Sequence, residues 1–186
     1  AIAACRICQQ GKVQHRHYGE LPARDVEGNP WATINVDLIG PWPVTIHGQQ
    51  FTFHALTVID PVTNYCEIIR INSKTAQHVG LQLENSWLSR YPRPIRCIFD
   101  QGGEFIGQDF IRVLRRHGIK PVALTAKNPQ ANAICERLHL TVGNTLRTLV
   151  HYTPPHAVQD AALLVDTALQ TAAYSARVAM HGTLKH

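Results

Sequence analysis

Three carboxylates stand where regular structure stops or has little use for an acid. Asp37 falls late in the segment ATINVDLIG, Ala32–Gly40, and Asp100 directly follows PIRCIF and begins DQGGEF. Glu136 lies in the first turns of a helical stretch within NPQANAICER. Singly, each has an ordinary explanation: a polar-face strand residue, a turn former before Gly102-Gly103, and an acid complementing a helix dipole. Together they suggest more. Three converging carboxylates without lysine neighbours repel one another unless a cation joins them. Carboxylate oxygens suit Mg²⁺ or Mn²⁺, which keep waters and complete their shell from phosphates. Two such ions ~4 Å apart activate an attacking oxygen and steady a leaving one in an in-line displacement at phosphorus, with no covalent nucleophile.

The elements that must position these acids are legible in the periodicity. In Ala32–Gly40, Ile34, Val36 and Leu38 alternate with Asn35 and Asp37, as in a strand with one polar face. QFTFHALTVID and YCEIIRI follow, separated by the turn-like PVTN, and the three predict an antiparallel meander. TAQHVGLQLENSWLSRY is predicted as an amphipathic helix with Ser73 or Thr75 as N-cap and Val79, Leu83 and Trp87 recurring every fourth residue. PIRCIF predicts a short strand. EFIGQDFIRVLRRHG predicts one helix with Phe110, Val113 and Leu114 inward and Gly118 at its C-cap. IKPVALT predicts a strand whose Pro121 demands an edge or irregular position. A helix follows, with Ile134, Leu138 and Val142 on one stripe, and then an Ala-rich helix started by Pro154 and Pro155. The order βββαβαβα plus a final helix is that of an α/β domain with five strands, over 31–180. In such sheets ligands gather beyond the carboxyl ends of parallel strands, where Asp100 stands.

Composition bounds the rest. The chain has 186 residues, 45% hydrophobic and 17% charged, enough for one globular domain with a core and an appendage. Net charge is +5, a mild lean toward a polyanionic partner. No apolar run approaches the roughly 18 residues of a membrane span, and no signal-peptide pattern opens the chain. The first residue is Ala and not Met, which suggests a piece of something longer. Of five cysteines, Cys66, Cys97 and Cys135 sit alone in apolar stretches, as buried free thiols of a reducing, intracellular setting do. Residues 1–30 are polar with scattered Gly and Pro and predict the end of a preceding module plus a linker; 181–186 form a tail.

The three acids with their flanks, INVDLIGPWP, FDQGGEF and NPQANAICER, with 35 residues between Asp100 and Glu136, resemble the D,D(35)E catalytic core of retroviral and LTR-retrotransposon integrases, most closely the gypsy-type branch. The likeness covers about 31–150, and CRICQQGK resembles the Cys-x-x-Cys end of the zinc module that precedes that core. The resemblance implies an RNase H-like fold with a mixed five-stranded sheet flanked by helices. It implies that Asp37, Asp100 and Glu136 are catalytic and bind two Mg²⁺ or Mn²⁺ ions. It further implies an enzyme that trims element DNA 3′ ends with water and then joins them to target DNA. The partners implied are element-end DNA, target DNA and further copies of the chain, at least a dimer, in the nucleus, on chromatin or in a virus-like particle. The Ala-rich helix at Ala157–Arg177 is one candidate for the contact between copies; packing inside the domain is the other. A further DNA-binding module would lie beyond His186, so 1–186 alone is expected to bind metal but to perform two-end insertion poorly.

Other residues take their roles from this frame. Lys127, Asn128, Gln130 and Arg137 surround the third acid and suit DNA phosphates or bases; Lys74, and Gln101 where relatives often carry Asn or Arg, are further DNA-contact candidates. Ala133 and Ile134 replace a more usual small or Gly-containing segment, which bears on DNA contacts and not on metal ligands. Arg112, Arg115 and Arg116 read as an exposed solubility face. Cys5 and Cys8 supply half of a zinc site, the Zn²⁺ belonging to the full-length N-terminal module; His15 and His17 are too closely spaced to complete it. His54 and His139 look structural or exposed. Two other functions fit the fold: a transposase or nuclease, and a non-catalytic module for DNA binding or assembly. The intact acids speak against the second, and the Cys-x-x-Cys module and the lack of a long insertion before Glu136 speak against the first.

Overall fold

The computed structural model describes residues 28–124 and 133–178, with backbone alone at 133, 134, 136 and 137. The expected meander is present: β1 (Thr33–Ile46), β2 (Gln49–Ile59) and β3 (Cys66–Ile71) pair antiparallel. Asp60 makes the turn between β2 and β3, its carboxylate accepting from Val62 N at 3.0 Å and from the Thr63 hydroxyl at 2.7 Å. It also accepts from the Trp31 amide at 3.2 Å, and the Trp31 ring stacks on Tyr91 beside Tyr65 and Trp87. The start of the domain is thereby fastened to its body.

Helix α1 (Ala76–Leu83) follows, capped by Thr75, whose side chain accepts from His78 N, and continues into a π-helical turn, Glu84–Leu88. Next come β4 (Arg96–Phe99), the short α2 (Gly103–Ile106), α3 (Gln108–Arg116) and β5 (Lys120–Ala123). The single helix expected over 104–118 is thus broken. Gly107 takes an extended ψ of 141° between α2 and α3, and a Cβ there would lie 2.4 Å from the Ala76 Cβ. The break lets the start of α1 pack against bare backbone. Gly118 follows α3 with φ of +70°, as a helix-ending glycine should. Helices α4 (Ala133–Tyr152) and α5 (Val158–Val178) complete the order. Pro154 and Pro155 precede α5 instead of opening it; Asp160 caps it by accepting from Ala157 N at 3.0 Å.

The sheet order is β3-β2-β1-β4-β5, with β4 parallel to both β1 and β5. Pro121 accordingly sits on an edge strand. Two apolar layers cover the sheet. On one face Ile34, Val36, Leu56 and Val58 pack against Val79, Leu83 and Trp87 of α1 and its π-helical turn, and against Phe110 and Leu114 of α3. On the other, Ile39, Ala55 and Ile59 pack against Cys135, Leu138 and Val142 of α4 and Val165, Ala168, Leu169 and Ala172 of α5. The small residues of α5 therefore pack inside the domain. Cys66, Cys97 and Cys135 are buried free thiols. No helix among the described residues is long and apolar enough to cross a membrane.

The one-sided reading of β1 needs correcting. Thr33, Ile34, Asn35 and Val36 are all buried, because β1 is the middle strand and helices cover both of its faces. The face of Asn35 and Asp37 is an inward face on the α4–α5 side.

Candidate active site

Strand register relates the first two acids. In the parallel β1–β4 pair, Asn35 is opposite Ile98; carried on by two residues, that register sets Asp37, within β1, across from Asp100, which follows the end of β4, on strands whose axes run ~4.8 Å apart. β1 changes character just beyond. Gly40 has φ of +111°, and a Cβ there would meet the Phe53 carbonyl oxygen at 2.7 Å. Glycine is what fits, and the register shifts between Ile39 and Trp42. The bulge interrupts the ladder just past Asp37, and pairing with β2 resumes from Trp42 to Ile46.

The two acids differ in setting. Asp37 is largely buried, its side chain 16% exposed. Its Oδ1 accepts from its neighbour's amide, Leu38 N, at 2.8 Å. Asp100 is exposed, and its Oδ1 accepts from Gly102 N at 2.9 Å, the turn its sequence suggested. Glu104, which sequence reasoning passed over, has its carboxyl carbon 3.0 Å from the position of a Cβ on Gly102, and Asp100 Oδ1 lies 2.9 Å from the same point. The loop after β4 therefore gathers two carboxylates around one glycine.

Helix α4 supplies the third position. Residue 136 lies in its first turn, and one turn further on His139 reaches the Asp37 face of the sheet. His139 Nε2 is 3.9 Å from Asp37 Oδ2 and 3.4 Å from the Thr57 hydroxyl oxygen. Thr57 in turn donates to the Asp37 carbonyl at 3.0 Å. Burial holds the His139 imidazole well below its ordinary value, down to about 4, so it stands neutral beside the acid. His139 was read from sequence as structural or exposed. Its place beside Leu138 on the inward stripe was the signal that could have found it.

The remaining candidates divide. Gln101 donates to the Leu124 carbonyl at 3.3 Å, tying the loop after β4 to the end of β5. Lys74 is exposed before α1. Burial first, and then the Lys74 charge, lower the pKa of His54, against the Glu104 charge; Lys74 and Glu104 thus act on one imidazole. Cys5, Cys8, Lys127, Asn128 and Gln130 lie outside the described residues, as do the side chains of Glu136 and Arg137. Among the described residues no three His, Cys, Asp or Glu side chains form a metal-holding group. Of the three acids, the side chains of Asp37 and Asp100 are described, and carboxylate oxygens of this kind fit a hard divalent ion. Arg112 and Arg116 are exposed and pair with Asp109 and Glu84, in keeping with a solvated face.

Among solved structures, the catalytic core domain of bovine immunodeficiency virus integrase aligns at a TM-score of 0.59 and 18% identity, over 82% of this chain and 87% of that one. The fold is that of the retroviral integrase catalytic core. A chain of the simian T-cell lymphotropic virus intasome, solved with a phosphatase regulatory subunit, aligns with this integrase-like core at 0.61 and 16% identity, over 94% of this chain and 57% of that one. The HTLV-2 integrase core, solved with magnesium in a trimeric form, does so at 0.56 and 15%, over 78% and 84%. In sequence the chain is similar to gypsy retrotransposon integrase-like protein 1 of Rattus norvegicus, 26% identical over 136 residues, and to the retrovirus-related Pol polyprotein from transposon 412 of Drosophila melanogaster, 28% identical over 117. These matches take in 70% and 63% of the chain, which spans about a quarter of the first relative and 9% of the second. No protein-family model matches. The resemblance to gypsy-type and retroviral integrases read from the three acids thus has independent counterparts in sequence and in fold.

Proposed function

We propose that this chain is the catalytic core of a DNA integrase, a polynucleotidyl transferase that trims the 3′ ends of an element's DNA and joins them to target DNA. The observation that supports it most is the parallel β1–β4 register, which continued by two residues sets Asp37 across from Asp100 just past the carboxyl end of β4, with the first turns of α4 docked alongside through His139. Asp37, Asp100 and Glu136 would hold two Mg²⁺ or Mn²⁺ ions. When bound, such ions activate the attacking oxygen and stabilise the leaving oxygen of a phosphodiester displacement.

The chain's own residues prepare that chemistry. Asp37 is fixed by a buried central strand and by Leu38 N; Asp100 is held by a tight turn whose Gly102 amide orients it. Gln101 braces the Asp100 loop against β5, which shapes the floor on which DNA must lie. Lys74, Lys127, Asn128, Gln130 and Arg137 would contact DNA phosphates or bases, consistent with a net charge of +5. Cys5 and Cys8 belong, on this reading, to a zinc module preceding the core, and the protein works as a dimer or larger assembly gripping two DNA ends.

The test is a strand-transfer assay in Mg²⁺ or Mn²⁺, with a labelled duplex bearing recessed 3′-OH ends and a supercoiled plasmid as target. Glu136→Gln, Asp37→Asn and Asp100→Asn keep shape and remove the charge a cation requires. Each is expected to reduce joining by a factor on the order of 10² to 10³ with thermal stability retained. Joining that survives all three substitutions would sink the metal-site reading. A wild type that binds DNA and never joins it points to the assembly-only alternative.

A further inference from the structure

We propose that His139 is a positioning residue for the first acid, its Nε2–H fixing the rotation of the Asp37 carboxylate that a divalent ion requires. The inference rests on the metal-site reading above and deepens it. Its basis is the hydrogen-bond arithmetic around Thr57. A threonine hydroxyl has one proton to give, and that of Thr57 goes to the Asp37 carbonyl at 3.0 Å. Toward His139, 3.4 Å away, the same oxygen can only accept. The proton on the imidazole therefore sits on Nε2, the nitrogen that also faces Asp37 Oδ2 at 3.9 Å.

Asp37 is thereby addressed from two sides. Leu38 N–H occupies one lone pair of Oδ1 at 2.8 Å, and the imidazole N–H stands opposite Oδ2. The 3.9 Å approach is longer than a hydrogen bond. The terminal torsion of aspartate is soft, so on this proposal the imidazole dipole biases which rotation the carboxylate takes. The imidazole itself has little freedom: its side chain is 23% exposed, and Leu138 beside it and Val142 are buried in the α4–α5 layer. Helix α4 thus carries an acid in its first turn and, one turn later, the group that orients the acid of another strand. Outer-shell partners of metal ligands behave this way in general, and their loss costs roughly 10- to 100-fold in metal affinity.

The experiment measures Mn²⁺ affinity from the free-ion electron paramagnetic resonance signal, on the full chain, beside thermal stability. His139→Gln keeps an N–H donor at the reach of Nε2, whereas His139→Leu and His139→Phe keep apolar bulk and remove it. Expected is binding within about threefold of wild type for His139→Gln, and about tenfold weaker or worse for the two donor-less variants, with folding intact. Wild-type affinity in His139→Leu or His139→Phe overturns the assignment, as does equal weakening in His139→Gln. If both donor-less variants fail to fold while His139→Gln folds, the role is structural and the proposal falls. Asp37→Asn separates the two levels: should it bind Mn²⁺ as tightly as wild type, the metal site itself is misplaced, whatever His139 does.

Discussion

Cys66 and Cys97 are thiols whose reactivity the fold suppresses. Both are fully buried; burial raises the Cys66 pKa to about 11 against the smaller pull of Arg177, and raises that of Cys97 further. Since the thiolate is the reacting species, alkylation of Cys66 and Cys97 at pH 8 is expected to run at least ~100-fold slower in the folded protein than in denaturant. Mass spectrometry of a Cys5→Ser, Cys8→Ser background reads this out, and rapid native labelling would contradict it. The isolation of these cysteines in apolar stretches already implied their burial. Asp37 was harder to place. Alternation correctly put it on the face opposite Val36, but nothing local in β1 says that a second helical layer covers that face. His139 escaped for a related reason: its partner is 102 positions away in the chain, and only the packing of α4 on the sheet brings them together.

At the scale of elements, Glu84 joins the π-helical turn after α1 to the end of α3. It takes His117 Nε2 and Arg116 at 2.7 Å each. The hydrogen bond from His117, then Arg116, hold its carboxyl below the ordinary glutamate value. The folded state therefore gives up this proton at lower pH than the unfolded chain does. The resulting stabilisation is present above the ordinary glutamate range, near pH ~4.3, and is lost as pH falls through the lowered folded value. Glu84→Gln is expected to cost about 1 kcal/mol at pH 7 and to flatten the acid limb of stability against pH, measured by urea denaturation. An unchanged acid limb would show that the clip contributes nothing. Periodicity located α1 and α3 and put Pro121 on an edge. It missed the break at Gly107, because the clash that demands a glycine there comes from Ala76, thirty-one positions earlier.

For the whole molecule, what was legible is the element order, and what was not is the layering. Five strands and their helices follow from patterns within each segment. That α5 turns its alanines inward, and so does not offer them to another copy, depends on β3 and α4 lying beneath it. The position of β1 carries one more implication. It is hydrogen-bonded on both sides, antiparallel to β2 and parallel to β4, whereas β5 is an edge and the loop from Asp100 to Gly103 is largely exposed. Partial openings of native proteins begin where backbone bonds are few and solvated. Deuterium uptake should consequently be slowest in peptides from β1 and β2 and orders of magnitude faster around Asp100 and β5; comparable rates in both would refute this. Of the two described acids, Asp37 then belongs to the last part of the sheet to breathe, and any transient fraying displaces Asp100 first while Asp37 stays anchored on β1.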